Sequence, residues 1–568
     1  SVLTSLDTRN NSIFGEAAQQ LAAAVLDSVS LEVFGKVPMK QLRADALTEL
    51  DLRSKSLGPT EAIVLAKLVE VSSVLTSMDL SSNNLTGETS YIKASKVQGE
   101  SFNVGDKVTY EGREMIVSYG KDSDGEIRMV DLTGVKAIAA ALHVNSVMTS
   151  LNIDGFALPI KQLKGTDPID ALDFSNKRLG VASAIVIAKC IEVNSVLTGL
   201  NLCYNDISGK EAQQLAAAVL GSASLEVFSE VPMKQLRADA LTELNLRNKV
   251  LGPAEGIVLA KLIEVSSVLT SLHIYWNEIG DEGAEAIAQA IKVNSVLTNL
   301  DTRGNNIDGE AAQQLATAVL GSASLEMFGK VPMKQLRADA LTELDLRYMR
   351  LGPTESIALA KLIGVSSVLT SLNLYYNRIG NEGARAIADA LHVNSVLTSL
   401  NLKLNYIGDD GAKAIGGAIR VNSVLTSLNL SGNWVGPELG ICMAEALKVN
   451  SVLTTLNLSL NSIGVEGAKA IGGSLRVNSV LTSLNLWGCG IGGEGAKAIA
   501  DALRVNSVLT ILDLRGNWIG TEGAAAIGDA LRVNSVLTEL DLRWNDLGDG
   551  EAALREIAKD RPSLTLKL

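Results

Sequence analysis

A six-residue phrase, Leu-Thr-x-Leu-x-Leu, returns along this chain at a fixed interval of 28 residues. It starts at Leu369, Leu397, Leu425, Leu453, Leu481, Leu509 and Leu537, and the same interval joins Leu241, Leu269 and Leu297. A fixed period of this size is the signature of a repeat architecture. The period therefore confines the chain to folds in which each unit is completed by its neighbours.

One unit, residues 369–396, shows how the period folds. With Leu369 as position 1, apolar residues fall at positions 1, 4, 6 and 11, and Asn usually stands at position 9. The alternation over positions 3 to 7 predicts a short strand with one buried face. Gly at position 12 predicts a turn, and the following apolar spacing predicts a helix with an acidic first turn. Stacked strand–helix units of this kind predict a solenoid.

The pattern L-x-x-L-x-L-x-x-N-x-[IL]-G with helical second halves resembles leucine-rich repeat proteins of the ribonuclease-inhibitor-like class, as in NOD-like receptor repeat domains. The resemblance covers nearly the whole chain. It implies an α/β solenoid, a horseshoe with parallel strands on the concave face and helices on the convex face. It also implies a buried hydrogen-bonded ladder of the position-9 residues, which are Asn205, Asn277, Asn305, Asn377, Asn405, Asn433, Asn461, Asn517 and Asn545, with Cys489 once in their place.

A shorter segment interrupts the period. The sequence of residues 30–50 recurs at 224–244 and 324–344, and in degenerate form near 158–172. In each clear copy the next strand begins only 16 residues after the last, at Leu47, Leu241 and Leu341. Sixteen residues are too few for a strand and a full helix, so we expect a strand with a short, extended or single-turn return. After these segments position 9 holds Lys55, Lys177, Lys249 or Met349 instead of Asn.

An insertion of about 45 residues separates the strand starts at Leu75 and Met148. Between residues 89 and 133, apolar and polar residues alternate around the turn signals Glu111-Gly112 and Asp124-Gly125, which predicts a three- or four-stranded β module loosely similar to SH3-like barrels. We therefore predict leucine-rich repeats over 1–88, a small β-rich insert over 89–133, and leucine-rich repeats over 134–568.

Composition removes several function classes. The formal charge of 50 − 63 = −13 argues against nucleic acid as the main partner. No run of about 18 apolar residues is present, so we expect no membrane span. Four cysteines and three histidines make a disulfide scaffold, a metal site or a catalytic constellation poor hypotheses. We expect a non-enzymatic, intracellular, cytoplasmic protein without a cofactor, in which Cys203 at position 7 is exposed and open to reaction.

Charged pairs recur on the predicted strands, with Asp at position 5 and Arg at position 7. Residues two apart on a strand share a face, so each pair lies on the sheet surface. We interpret the pairs as structural, because they relieve repulsion between like charges on neighbouring strands. They are Asp7/Arg9, Asp51/Arg53, Asp301/Arg303, Asp345/Arg347, Asp513/Arg515 and Asp541/Arg543.

Aromatic residues give the sharpest functional signal. Eleven of the Trp and Tyr residues occupy position 7, 8 or 10, whereas a core would place them at 4, 6 or 11. Such residues are enriched at protein interfaces. At positions 7 and 8 we predict a partner-binding surface made of Tyr204, Tyr275, Trp276, Tyr348, Tyr375, Tyr376, Trp487 and Trp544. For position 10, with Tyr406, Trp434 and Trp518, binding and simple ring packing weigh equally.

These observations favour a protein-binding scaffold or recognition module that uses the concave and rim surface of the repeats, with an unidentified protein partner. Two alternatives stay open. One is a structural subunit of a larger assembly, held through its convex face or its insert. The other is a regulator of a GTPase.

Overall fold

The computed structural model describes residues 3–11, 13–99, 102, 106–110, 113–120 and 124–568. The chain divides into two compact units. Unit 1 comprises Ser1–Leu269 and Trp276–Val296, and unit 2 comprises Thr270–Tyr275 and Leu297–Leu568.

Unit 1 alternates short strands and helices, with one antiparallel sheet interposed. Its strands are β1 Ser5–Leu6, β2 Val33–Phe34, β3 Glu49–Asp51, β4 Ser77–Asp79, β5 Ile92–Lys93, β6 Lys107–Tyr110, β7 Arg113–Tyr119, β8 Glu126–Val130, β9 Ser150–Asn152, β10 Ala157–Pro159, β11 Ala171–Asp173, β12 Gly199–Asn201, β13 Val227–Phe228 and β14 Glu243–Asn245. Its helices are α1 Gly15–Asp27, α2 Met39–Arg43, α3 Pro59–Val71, α4 Thr133–Val144, α5 Ile160–Leu163, α6 Val181–Ile191, α7 Gly209–Gly221, α8 Met233–Arg237, α9 Pro253–Val265 and α10 Gly280–Val293, with a 3-10 turn at Ala94–Lys96.

Unit 2 repeats the same alternation without an insertion. Its strands are β15 Ser271–His273, β16 Asn299–Asp301, β17 Met327–Phe328, β18 Glu343–Asp345, β19 Ser371–Asn373, β20 Ser399–Asn401, β21 Ser427–Asn429, β22 Thr455–Asn457, β23 Ser483–Asn485, β24 Ile511–Asp513, β25 Glu539–Asp541 and β26 Thr565–Lys567. Its helices are α11 Gly309–Gly321, α12 Met333–Arg337, α13 Pro353–Val365, α14 Gly380–Val393, α15 Asp409–Val421, α16 Pro437–Leu447, α17 Gly464–Leu475, α18 Gly492–Leu503, α19 Gly520–Leu531 and α20 Gly550–Lys559.

Parallel pairing follows the 28-residue period. In unit 2, β18 to β26 form a nine-stranded parallel sheet in chain order. Its register sets each residue beside the one 28 positions on, as with Leu372 and Leu400, until the last strand. The position-4 and position-6 leucines of these strands are buried, and the polar residues between them lie on the opposite face. The predicted strand–helix solenoid is thus present.

The short segments return through a single helical turn, as predicted, and they also interrupt the sheets. Strand β17 ends one sheet and β18 begins another. The cause is local: after β17 the chain folds back, so that Phe328 pairs with Val331 and the five-residue α12 follows. Phe328 itself is fully buried. The same foldback occurs at Phe34 and at Phe228.

The predicted asparagine ladder is present. Asn433 donates from Nδ2 to the carbonyls of Leu402 and Leu430 at 3.0 and 2.9 Å. Its Oδ1 accepts from the amides of Asn405 and Ile407 at 2.8 and 3.2 Å. Where Cys489 replaces Asn, its thiol lies 3.3 Å from the carbonyl of Leu458. Each ladder residue thus satisfies backbone groups of its own repeat and of neighbouring repeats.

A second polar ladder, which the sequence analysis did not identify, closes the helix ends. Asn422 donates from Nδ2 to the carbonyl of Leu391 at 2.8 Å, and its Oδ1 accepts from the amide of Leu425 at 2.8 Å. Asn residues of the recurring Val-Asn-Ser sequence do this in most repeats. After a short segment a serine takes the place, as Ser366 does by donating to Asp339 at 2.5 Å.

Residues 92–130 of unit 1 include a four-stranded antiparallel sheet in the order β5-β8-β7-β6. Its core contains Val108, Met115, Val117 and Met129, all buried. The predicted turn at Glu111-Gly112 lies outside the described residues. The insert boundaries at 89 and 133 remain a prediction. No helix in the described part of the chain is long and apolar enough to cross a bilayer.

Candidate partner-binding surface

The position-8 aromatic rings project into solvent. Their exposed fractions are 60 % for Tyr204, 44 % for Trp276, 59 % for Tyr348, 53 % for Tyr376 and 66 % for Trp544. All five residues have a left-handed backbone with φ between 59° and 62°. This conformation is costly for a bulky L residue, by about 1–2 kcal/mol.

Other repeats hold this same left-handed position with the residues that tolerate it best. They use Asn10, Ser54, Ser82, Asn176, Asn248, Gly304, Gly432, Gly488 and Gly516. Glycine and asparagine adopt positive φ at low cost. An exposed ring at position 8 therefore contributes backbone strain without filling a core, which points to a role outside folding.

Three tyrosines of unit 2, Tyr348, Tyr375 and Tyr376, form a contiguous group that we name the tyrosine cluster. The ring centroid of Tyr348 lies 5.0 Å from that of Tyr375 and 5.2 Å from that of Tyr376. Tyr375 at position 7 is half-buried beneath the other two, and Lys403 lies 5.4 Å from its centroid. The cluster thus presents two exposed rings on a supporting third.

Tyr275 does not join this surface as predicted. Its side chain is buried, with 8 % exposed, because Arg303 lies 4.9 Å over the ring and Arg350 donates to the phenol oxygen at 2.5 Å. Trp276 belongs to unit 1, whereas Tyr275 belongs to unit 2. The predicted set is therefore not one patch, and the structure brings together Tyr348, Tyr375 and Tyr376.

A second aromatic group of unit 2 contains Trp487 and Trp544. Their centroids are 6.0 Å apart, and the Arg515 guanidinium lies 4.9 Å from the first ring and 5.6 Å from the second. Arg515 is itself paired with Asp513 at 2.6 Å. The cation–π contacts hold the half-buried Trp487 and leave the ring of Trp544 largely open.

Position 10 proves more exposed than the sequence analysis expected. Tyr406, Trp434 and Trp518 expose 59 %, 70 % and 79 % of their surface. Tyr406 and Trp434 contact edge-to-face with centroids 5.8 Å apart. Position 10 therefore adds rings to the exposed surface of unit 2.

The Asp–Arg pairs form as predicted, with one difference. Arg347 and Asp345 are exposed and 2.8 Å apart. Arg303 and Asp301, at 2.6 Å, expose only 8 % of each side chain. Exposed pairs of this kind contribute about 0–1 kcal/mol each. These pairs leave little net charge beside the tyrosine cluster.

Cys203 corrects the expectation of a reactive thiol. It is 5 % exposed, and burial raises its pKa to about 11. A thiol in this state is a poor nucleophile at neutral pH. Within the described residues, no group of three or more His, Cys, Asp and Glu could hold a metal ion.

A row of valines on the helix side is a surface that the sequence analysis missed. Each stands at or next to the end of a helix and returns every 28 residues, so the row carries the same period as the strands. The members in unit 2, exposed by 56 to 80 %, are Val365, Val393, Val421, Val449, Val477, Val505 and Val533.

Eight segments of the chain match the Leucine Rich repeat family, namely 265–288, 365–388, 393–416, 421–444, 449–472, 477–500, 505–528 and 533–550. The chain thus carries leucine-rich repeats, and its fold is an α/β solenoid of the leucine-rich-repeat type. No curated protein matches it. The ribonuclease-inhibitor-like or NOD-like subclass has no support in these matches.

Solved structures of repeat proteins are similar to parts of this chain. An internalin from Listeria monocytogenes is 20 % identical over 62 % of this chain and 92 % of its own, with a TM-score of 0.28. The leucine-rich repeat-containing protein LegL7 from Legionella pneumophila is 19 % identical over 56 % and 100 %, with a TM-score of 0.29. A yeast Rad7 and Elc1 complex gives 17 % identity over 72 % and 88 %, with a TM-score of 0.30.

Proposed function

We propose that this chain is a non-enzymatic protein-recognition module whose partner contacts the aromatic surface of unit 2, centred on the tyrosine cluster. One observation carries the proposal: Tyr348 and Tyr376 expose more than half of their surface at left-handed positions where other repeats use Asn or Gly. Aromatic anchors of this kind dominate the free energy of protein interfaces.

The chemistry beside the cluster favours a protein over a charged polymer. The neighbouring Arg347 is neutralised by Asp345 at 2.8 Å, and the chain carries a formal charge of −13. Rings with phenol groups offer apolar area and a hydrogen-bonding edge together. A partner that presents a mixed apolar and polar patch suits this surface.

The position-8 geometry provides a variant that removes the rings without harming the fold. Tyr348→Asn and Tyr376→Asn install the residue that stands at position 8 in Asn176 and Asn248. Asn tolerates positive φ, so the melting temperature should be unchanged or slightly raised. Partner capture from a lysate of the source organism should be lost, because truncating such anchors costs about 2 kcal/mol, or about 30-fold in Kd.

The valine row supports the alternative of a structural subunit held through its helices. Exposed apolar residues repeated along one line are a typical contact surface. The matched variant is Val393→Gln with Val421→Gln, which keeps the helices and removes the apolar row. Capture that survives the tyrosine changes and fails with the glutamine changes would replace our proposal by this alternative.

A further inference from the structure

A cavity of about 290 Å³ lies in unit 1, between the strands β7 and β8 and the neighbouring repeats. Its polar lining includes Glu88, Asp154 and Glu211, and its apolar lining includes Ile116, Val130 and Val181. A water molecule occupies about 30 Å³ in the liquid, so a single water cannot fill this space.

Glu211 is the unusual residue of this cavity. It is 3 % exposed, and its Oε1 has no hydrogen-bond partner within the described residues. Burial raises the pKa of its carboxyl, while Lys136 and Lys210 lower it only through their longer-range attraction. A buried carboxylate oxygen without a donor costs free energy and calls for a ligand or another explanation.

The duplicated copy of this repeat shows that the fold does not need the carboxylate. Helix α7 (GKEAQQLAAAVLG) and helix α11 (GEAAQQLATAVLG) are near-copies, and Ala311 stands where α7 has Glu211. Ala311 is itself buried, with 2 % exposed. In α11 an acidic residue of the first turn, Glu310, remains in solvent. Attraction to the helix N-terminus therefore explains an exposed acid, but not a buried one.

The other two carboxylates of the cavity already have partners that keep them ionised. Asp154 accepts from the amides of Gly180 and Ser183 at 3.0 and 2.9 Å. Glu88 pairs with Arg128 at 2.8 Å. The lining therefore attracts a cation, and the Glu211 carboxylate is the one still lacking a partner.

We propose that this cavity binds a guanidinium group on a short aliphatic arm, as in an arginine side chain, with Glu211 as its principal acceptor. The apolar walls suit methylene groups. Several oxygen acceptors on one lining suit the five N–H donors of a planar guanidinium better than the three of an ammonium. The site is separate from the tyrosine cluster, so it stands whether or not that surface binds a partner.

Calorimetric titration of the full chain with N-acetyl-L-arginine amide tests this site. We expect saturable binding, at least tenfold weaker binding in Glu211→Ala, and unchanged binding in the exposed-acid control Glu310→Ala. N-acetyl-L-lysine amide should bind more weakly than the arginine probe. Tyr348→Asn with Tyr376→Asn should bind the probe normally, which separates this site from the proposed function.

Two further measurements keep the test decisive. Glu211→Ala installs the residue of the duplicated repeat and should fold with an unchanged or higher melting temperature; Glu211→Gln serves if it does not. Free L-arginine as a second probe distinguishes a free metabolite from a chain-embedded side chain, since only the former tolerates a charged α-ammonium and carboxylate as its natural state. Absence of saturable binding, or equal binding by the wild type and both Glu211 variants, would overturn the proposal.

Discussion

The hydroxyl of Ser229 donates a hydrogen bond of 2.7 Å to Oε1 of Glu255, a carboxylate that is 4 % exposed. Ser229 Oγ also accepts from the amide of Leu202 at 3.1 Å. Oε2 of Glu255 accepts from the amide of Gly252 at 3.0 Å. Ser229 therefore joins a strand, a short segment and a helix N-terminus through one buried carboxylate.

The other two copies of the short segment solve the same problem differently. Gly329 stands in place of Ser229, and an added Cβ there would lie 3.1 Å from both Arg303 and the buried Glu355. The Arg303 guanidinium lowers the pKa of the Glu355 carboxyl, which burial raises. Gly35 and Arg9 repeat this arrangement in the first copy. An arginine on the strand thus goes with glycine, and Cys203 goes with serine.

Ser229→Gly should destabilise the chain by about 1–3 kcal/mol, because Glu255 then loses a donor inside the protein. The backbone cannot be the cause of such a loss, since Ser229 has φ 53°, which glycine adopts easily. Adding Asn201→Asp and Cys203→Arg imports the arrangement of the other copies and should restore most of the lost stability. Urea unfolding measures both changes, and a neutral Ser229→Gly would contradict this account.

Glu255 should make stability depend on pH in a defined direction. Burial raises the pKa of its carboxyl above the ordinary 4.5. The folded state therefore prefers the protonated group, and the stability it contributes at low pH is lost as pH rises through the folded pKa. The free energy of unfolding of the wild type, relative to Glu255→Gln, should fall between about pH 4 and pH 7. Urea unfolding across this range decides, and a difference that grows with pH would exclude the mechanism.

The asparagine ladder predicts unequal costs for two equivalent residues. Asn433 uses both its amide and its Oδ1, whereas the Oδ1 of Asn405 has no partner within the described residues. Asn433→Ala should therefore cost about 1–3 kcal/mol in unfolding free energy and Asn405→Ala less. Chemical denaturation of both variants tests the order. Equal costs would mean that the acceptor side of the ladder contributes nothing.

Strand positions, helix halves and the position-9 ladder could be predicted because each depends on local alternation repeated at a fixed period. Asn433 occupies a position that many repeats share, so its role could be inferred from its spacing. The helix-end asparagines, such as Asn422, have the same period and could have been found by asking which polar residue recurs after each helix. The valine row carried the same signal.

Side-chain burial on the sheet face could not be predicted from position alone. Cys203 and Tyr275 both stand at position 7, yet residues far along the chain cover them. Arg350, 75 positions after Tyr275, contacts its phenol oxygen. The sheet interruption at Phe328 depends on a foldback to Val331 that uses backbone groups otherwise available to the next strand.

The insert should be removable without unfolding the repeats. Its two ends meet, since the amide of Asp131 donates to the carbonyl of Thr86 at 2.7 Å. Deleting residues 88–129 keeps Asp131, which accepts from the Gly15 amide at 2.6 Å. Circular dichroism should retain the helix signal, and the melting temperature should stay within a few degrees. Loss of helix beyond the deleted segment would show that the insert belongs to the solenoid core.

Hydrogen exchange of the chain with and without its captured protein partner tests the central claim most directly. We predict protection on residues 343–350 and 371–378, which carry the tyrosine cluster, and none on the helices Gly380–Val393 and Asp409–Val421. Bound interfaces exclude water from the backbone they cover, so the contacted repeats should stand out against their neighbours. Protection confined to the helices, with the tyrosine segments unchanged, would contradict the proposed surface and favour assembly through the valine row.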